Sequence, residues 1–269
     1  MIAMKQHFLF RVQKGSTVDE AFGELCSFLT DIYEMEDPET GNVQIGGYSD
    51  DLSLPTAFKH VVLETSSNAQ EIDWNTQWAA FAPHFHEGLA HIDLGGPILL
   101  LKPGAGFGDL SHPTTRLAMA LMSSFVQDKL VFDIGCGSGI LSIAAALLGA
   151  KHVYGIDIED KAILHSQENA ALNHIESKAT FTKILDPSSI PKEPFIILMN
   201  MIESEQITAW HSLKSLHRKE AIVITSGLLS SQAEDYFKRA KSWGWNLVEE
   251  REEEGWLGCV FSQTLSQQP

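Results

Sequence analysis

Long apolar runs are missing from this chain. None approaches the roughly 18 residues that a membrane span needs, so no membrane crossing is expected. The opening "MIAMKQHFLFRVQKG" lacks a secretory apolar region with a small-residue cleavage site, which points to the cytoplasm. Cysteine is scarce. Cys26, Cys136 and Cys259 are far apart and odd in number, which excludes a disulfide framework and a paired-thiolate metal site and fits a reducing compartment. Positive charge is short as well: 19 Lys and Arg face 35 Asp and Glu, a formal net charge of -16. Such a surface repels phosphate backbones and argues against direct nucleic-acid binding. The first 65 residues carry four Lys or Arg against eleven Asp or Glu. That imbalance serves solubility or offers a docking surface to a basic partner. Internal repeats and low-complexity segments are absent.

What is present falls into two patterns. At the start, "HFLFRV" reads as a strand, and "TVDE" is a capping box opening a helix with Ala21, Phe22, Leu25, Phe28 and Leu29 on one face. "DIYEME" and "FKHVVLE" are further strand candidates, separated by a Gly-rich polar stretch from 37 to 55, and "TSSNAQ" reads as a linker. These make a small β-α-β-β lobe over residues 1–66. Residues 67–101 read as a linker with a short helix in "DWNTQWAAFAPHF"; His84 and His86 beside Glu87 lack further ligands and read as structural.

Residues 102–269 are regular. An apolar helix carries Leu117, Ala118, Leu121 and Phe125. Then strands "LVFDIG", "HVYGID", "ATFTKI", "FIILMN" and "AIVITSG" alternate with helices "ILSIAAALLG" and "KAILHSQENAALN" and one opened by a capping box "SQAE". "WNLVEERE" and "WLGCVFSQ" close as a hairpin. The predicted fold class is α/β, a doubly wound, mostly parallel seven-stranded sheet with a small N-terminal α+β lobe.

"DIGCGSG" follows a strand and opens a helix. Gly135 permits a tight turn, Gly137 lets backbone approach a ligand, and Gly139 lets helix pack on strand. Asp157 ends the next strand, 22 residues after Gly135, where an acid accepts ribose hydroxyls. The spacing is G-x-G-x-G rather than the dinucleotide G-x-G-x-x-G. Asp133, just ahead of the first glycine, is badly placed for a pyrophosphate and well placed for an ammonium group. Together these favour S-adenosylmethionine over a nicotinamide dinucleotide. Asn200 ends the fourth strand of this sheet, where ligands bind; its carboxamide holds the cofactor or an incoming amine, unless it merely turns the chain. A second glycine-rich stretch, "GAGFGDLSHPTT", lies upstream and reads as a lid over the cofactor.

In order, "GFGDLSHPTT", "VFDIGCGSGILSIAAALLGAKHVYGIDI", "ENAALN", "MNMI" and "SGLLSSQAED" resemble the bacterial lysine methyltransferases of ribosomal protein L11, over roughly residues 72 to 260. The resemblance implies a class I S-adenosylmethionine-dependent protein methyltransferase whose small N-terminal lobe grips the ribosomal protein. It places cofactor contacts on Thr115, Gly135, Asp157 and Asn200, to which the residue reading adds Asp133, Gly137 and Phe107, with Asn200 as the catalytic position. No metal is expected, and a monomer is. The sequence departs from the family pattern at Asp109 and Leu110, and again after Asn200, where Met201, Ile202, Glu203, Ser204 and Glu205 put two acids near the crevice mouth. The rival readings are a methyltransferase of another protein or of a small molecule, or a homologue that binds S-adenosylmethionine without turnover.

Overall fold

The structure is a computed structural model that describes residues 6–36, 40–49, 54–55, 57–68, 84–104, 108, 110–217 and 220–263. The chain divides between Asp73 and Trp74 into two compact units.

The first unit is a four-stranded antiparallel sheet with one helix. Its elements are β1 (Gln6–Val12), α1 (Val18–Leu25), β2 (Thr30–Glu36), β3 (Val43–Ser49) and β4 (Val61–Asn68), in sheet order β2-β3-β1-β4. The expected capping box forms: Thr17 Oγ1 accepts from the Glu20 N–H at 3.2 Å, and Glu20 Oε2 accepts from the Thr17 N–H at 2.9 Å. Ala21 and Leu25 of α1 then bury against Phe8, Phe10 and Ile45. β3 corrects the reading of 37–55 as a polar connection. Gly46 and Gly47 weaken strand propensity locally, but pairing with both β1 and β2 holds the segment extended. Residues 65–68, read as linker, belong to β4, paired with β1.

Among the described residues of the second unit, the first elements form a three-stranded ribbon, β5 (Phe85–His86), β6 (Leu89–Asp93) and β7 (Ile98–Leu101), in a segment read as linker. The helix expected in 73–85 lies mostly outside the described residues. After the ribbon come α2 (Pro113–Met122), β8 (Leu130–Ile134), α3 (Ile140–Leu147), β9 (His152–Ile156), α4 (Asp160–Leu172), β10 (Ala179–Thr182), β11 (Phe195–Asn200), α5 (Glu203–Ser212), β12 (Ala221–Leu229), α6 (Ala233–Ser242), β13 (Trp245–Glu253) and β14 (Trp256–Gln263). Seven strands run β10-β9-β8-β11-β12-β14-β13, with β14 antiparallel to both neighbours and the first five parallel.

β11 is apolar from Phe195 to Met199 because both its faces are covered. Ile196 and Leu198 of β11 join one core with Ala118, Ile140, Ile143 and Val260, while Phe195, Ile197 and Met199 join the other with Trp210, Tyr236, Trp245 and Phe261. The terminal hairpin turns at Glu254 and Gly255, both at positive φ (52° and 80°), a two-residue turn matching strand twist. The capping box expected at Ser231 and Glu234 does not form. α6 starts at Ala233 with no side-chain cap, and Gln232 Oε1 instead accepts from the Leu229 N–H at 3.0 Å. Among the described residues no helix is long and apolar enough to cross a membrane.

Candidate active site

The site gathers where the parallel strands end. β8 runs into Gly135–Gly139. Gly135, Gly137 and Gly139 all take positive φ, at 72°, 54° and 82°. The Gly135 and Cys136 N–H groups both donate to the Ile156 carbonyl, at 2.7 and 3.1 Å, so the loop hangs on the end of β9. Gly139 differs from its expected role. A side chain there would meet Cβ and Cα of Ser166, so this glycine lets α3 approach α4 rather than the strand.

Asp157, past the end of β9, holds the loop from the other side. Its Oδ2 accepts from the Gly137 N–H at 3.0 Å, and its Oδ1 accepts from the Glu159 N–H at 3.0 Å. A carboxylate has about four acceptor directions, so two remain for outside donors. Asp133 lies below. It is buried, and its Oδ2 accepts from the Ser142 hydroxyl at 2.6 Å. Burial pushes its carboxyl up to about 6, with the charge of Asp157 adding to the rise.

Across the crevice, β11 delivers Asn200 and α2 delivers Thr115. His112 caps α2, accepting from the Thr114 N–H through Nδ1 at 3.3 Å, with Pro113 in the first turn. Thr115 is fully buried, and its Oγ1 accepts from Asn200 Nδ2 at 3.3 Å. The Thr115 hydroxyl thus bonds the other residue that the sequence singles out. Asn200 Oδ1 is buried and has no hydrogen-bond partner. A buried acceptor without a donor is costly, and a bound ligand's N–H or O–H relieves that cost.

The two glycine-rich stretches interlock. The Ser138 hydroxyl donates to the Gly108 carbonyl at 2.6 Å, and a side chain on Gly108 (φ 103°) would strike Ile140. Asn169 Nδ2 donates to the Ser138 carbonyl at 2.9 Å, while Asn169 Oδ1 accepts from the Lys102 N–H at 2.8 Å. The first asparagine of "ENAALN" thus joins the glycine run to the chain just ahead of the upstream glycine stretch. Leu110 sits at φ 68°, a left-handed backbone that its side chain disfavours. Arg116 holds this strained segment, donating to the Leu110 and Ser111 carbonyls while pairing with Glu253 at 2.6 Å and Glu254 at 2.8 Å. Phe107 and Asp109 lie outside the described residues.

The two acids after Asn200 part company. Glu203 turns to Arg239, at 3.3 Å. Glu205 stays on the crevice side: desolvation raises its carboxyl and Asp157 raises it further. Sequence reasoning missed three apolar residues here. Ile158 is 81% exposed, Ile184 80% and Ile202 54%. Each follows the carboxyl end of a parallel strand, β9, β10 and β11, and a lone isoleucine in a loop gives no periodic signal.

Residues 52–264 match the model of the ribosomal protein L11 methyltransferase family. The chain belongs to that family. A ribosomal protein L11 methyltransferase of Dictyoglomus thermophilum is 27% identical over 272 residues, covering 92% of this chain and 89% of that protein. One of Thermotoga petrophila is 27% identical over 168 residues, 62% of this chain; the match spans 63% of that relative's length. The solved ribosomal protein L11 methylase of Lactobacillus delbrueckii subsp. bulgaricus superposes with a TM-score of 0.52 at 31% identity, over 61% of this chain and 84% of that one. In this chain Asp157 bonds the glycine run at Gly137, and Asn200 bonds Thr115.

Proposed function

We propose that the protein is a cytoplasmic, S-adenosylmethionine-dependent lysine N-methyltransferase acting on a ribosomal protein of the L11 type. The observation that carries this reading is the unpartnered, buried Oδ1 of Asn200, held beside Thr115 at the strand ends. It is an acceptor waiting for a ligand donor in a crevice that otherwise presents carboxylates. Asp133, Asp157 and Glu205 suit a ligand with positive charge and no phosphate. They disfavour a dinucleotide.

The residues fit S-adenosylmethionine. Asp157 would take the ribose hydroxyls with its remaining lone pairs. Gly135 would let the backbone come close, and Gly137 is already fixed by Asp157. Asp133 would face the ammonium end, where a cation stabilises its ionised form. Ile158, Ile184 and Ile202 offer apolar surface to a flat base. When bound, the cofactor supplies a sulfonium-activated methyl group to a neutral amine by in-line displacement. The chain's own task is then alignment and exclusion of water. A lysine has a reference pKa of about 10.4, so it must shed its proton on entry, and burial pushes its pKa in the needed direction. Asn200 would orient the amine or the cofactor's amino-acid end. The acidic first unit would dock the basic ribosomal protein, with the catalytic unit acting as a monomer. The test is labelled methyl transfer into purified ribosomal proteins, with mapping of the modified residues. Label on lysines of the L11 protein is expected, and its absence from every ribosomal protein would sink the substrate assignment.

A further inference from the structure

Gln206 is a polar side chain where an apolar one would be expected. It lies in the first turn of α5, fully buried, against a core that contains Trp210, Tyr236 and Trp245. Burying a carboxamide costs free energy unless its hydrogen bonds are made. All three kinds are made here. Nε2 donates to the Met201 carbonyl at 2.8 Å and to the Ser226 carbonyl at 3.0 Å, and Oε1 accepts from the Tyr236 hydroxyl at 2.6 Å.

The two carbonyls mark where the sheet opens. Asn200 and Ser226 are the last paired residues of β11 and β12. The Met201 N–H still donates to the Ser226 carbonyl at 3.1 Å. Beyond that the strands separate, and the Met201 carbonyl has no further strand to accept from. Gln206 supplies the next rung from a helix. The same peptide is fixed on its other side by Gly227, at φ 98°, where any Cβ would collide with the Met201 carbonyl.

We infer that Gln206, held by Tyr236, is a positioning residue for Asn200. It fixes the peptide that follows Asn200, and thereby aims the carboxamide whose Nδ2 rests on Thr115 and whose Oδ1 faces the ligand. Tyr236, on α6, carries that constraint through the apolar core into the site. The inference rests on the function proposed above for Asn200, but not on the identity of the methyl acceptor.

The test uses the full chain and four proteins: unmodified, Gln206→Leu, Asn200→Ala and the double variant. Calorimetric affinity for S-adenosylhomocysteine is measured alongside hydrogen exchange of the 199–202 and 225–227 peptides. Gln206→Leu is expected to speed exchange of the Met201 amide while distant strands stay protected. It should also weaken binding about tenfold, as Asn200→Ala does, because small misplacements in a site are expensive. The double variant should bind no worse than the weaker single variant, since both changes remove one constraint. Tyr236→Phe is the milder variant should Gln206→Leu fold poorly, and it should move the same peptides. Unchanged exchange at Met201, or losses that add in full, would overturn the inference. Failure of the unmodified protein to bind S-adenosylhomocysteine would overturn the proposed function instead, and the exchange arm would still decide the role of Gln206.

Discussion

Replacing Asp133 with Asn tests the electrostatics of the crevice at its root. The carboxyl is fully buried, its one named partner is the Ser142 hydroxyl, and its pKa rises from 3.8 to about 6 mainly through desolvation. The folded chain therefore holds this proton to a higher pH than the unfolded chain does. Its contribution to stability is fully present below the unfolded value and is lost as pH rises through about 6. Two units correspond to about 3 kcal/mol. Asn keeps an acceptor for Ser142 and removes the desolvated charge. The difference in unfolding free energy between variant and parent should thus shift in the variant's favour by about 3 kcal/mol from pH about 4 to pH about 8. Urea denaturation of both proteins at several pH values, without ligand, measures it. Binding should move the opposite way. A ligand ammonium favours the ionised acid, so affinity for S-adenosylhomocysteine in the parent should fall as pH drops below about 6, and the variant should lack that fall. Parallel stability curves for the two proteins would refute the reasoning, because they would mean that Asp133 folds without a proton penalty.

Other perturbations address the rest of the site. Asp157→Ala should weaken binding of S-adenosylhomocysteine by more than about tenfold, since a charge-assisted hydrogen bond contributes roughly 1.5 to 3 kcal/mol, and unchanged affinity by calorimetry would mean that the ribose lies elsewhere. Gly227→Ala should cost about 2 kcal/mol or more, read as a lowered urea midpoint, because the Met201 carbonyl occupies the place of the new methyl and φ is 98°. Glu205→Gln removes one of the three carboxylates, so the salt dependence of methyl transfer to a basic protein should weaken, and an unchanged dependence on ionic strength would take Glu205 out of substrate attraction.

Much of the catalytic unit is legible in sequence because its physics is local. β8 and β11 are short apolar runs bounded by Gly135 and Asn200, and the helices between them carry their own stop signals, such as Gly149 at φ 95° after α3. The same local logic fails where pairing partners decide. β3 carries two adjacent glycines and reads as a connection, yet two flanking strands hold it. β5 to β7 are two to five residues long, too short for alternation to register. α5 is not expected from the sequence, because it buries only Gln206 and Trp210 and so lacks an apolar stripe of helical period. Thr115 and Asn200 are each singled out by the sequence, but the bond between them is not, since it spans 85 positions.

The departures after Asn200 follow a single logic once the fold is known. Glu203 pairs with Arg239 at 3.3 Å, and Gln206 bonds the Met201 and Ser226 carbonyls. Only Glu205 adds charge to a crevice that already holds Asp133 and Asp157. Three carboxylates attract the ammonium form of a lysine, yet methyl transfer needs the neutral amine. The two demands are met in different places. In the proposed reaction, charge near Glu205 would draw the cation to the mouth, where water could carry a proton away. Buried Thr115 and the buried Oδ1 of Asn200, both neutral, would receive the amine deeper in, where a charged nitrogen would cost more than a neutral one. On that proposal attraction and deprotonation would be separated along one path, and the rigidity that Gln206 and Gly227 would give its inner end would matter more than a further acid or base.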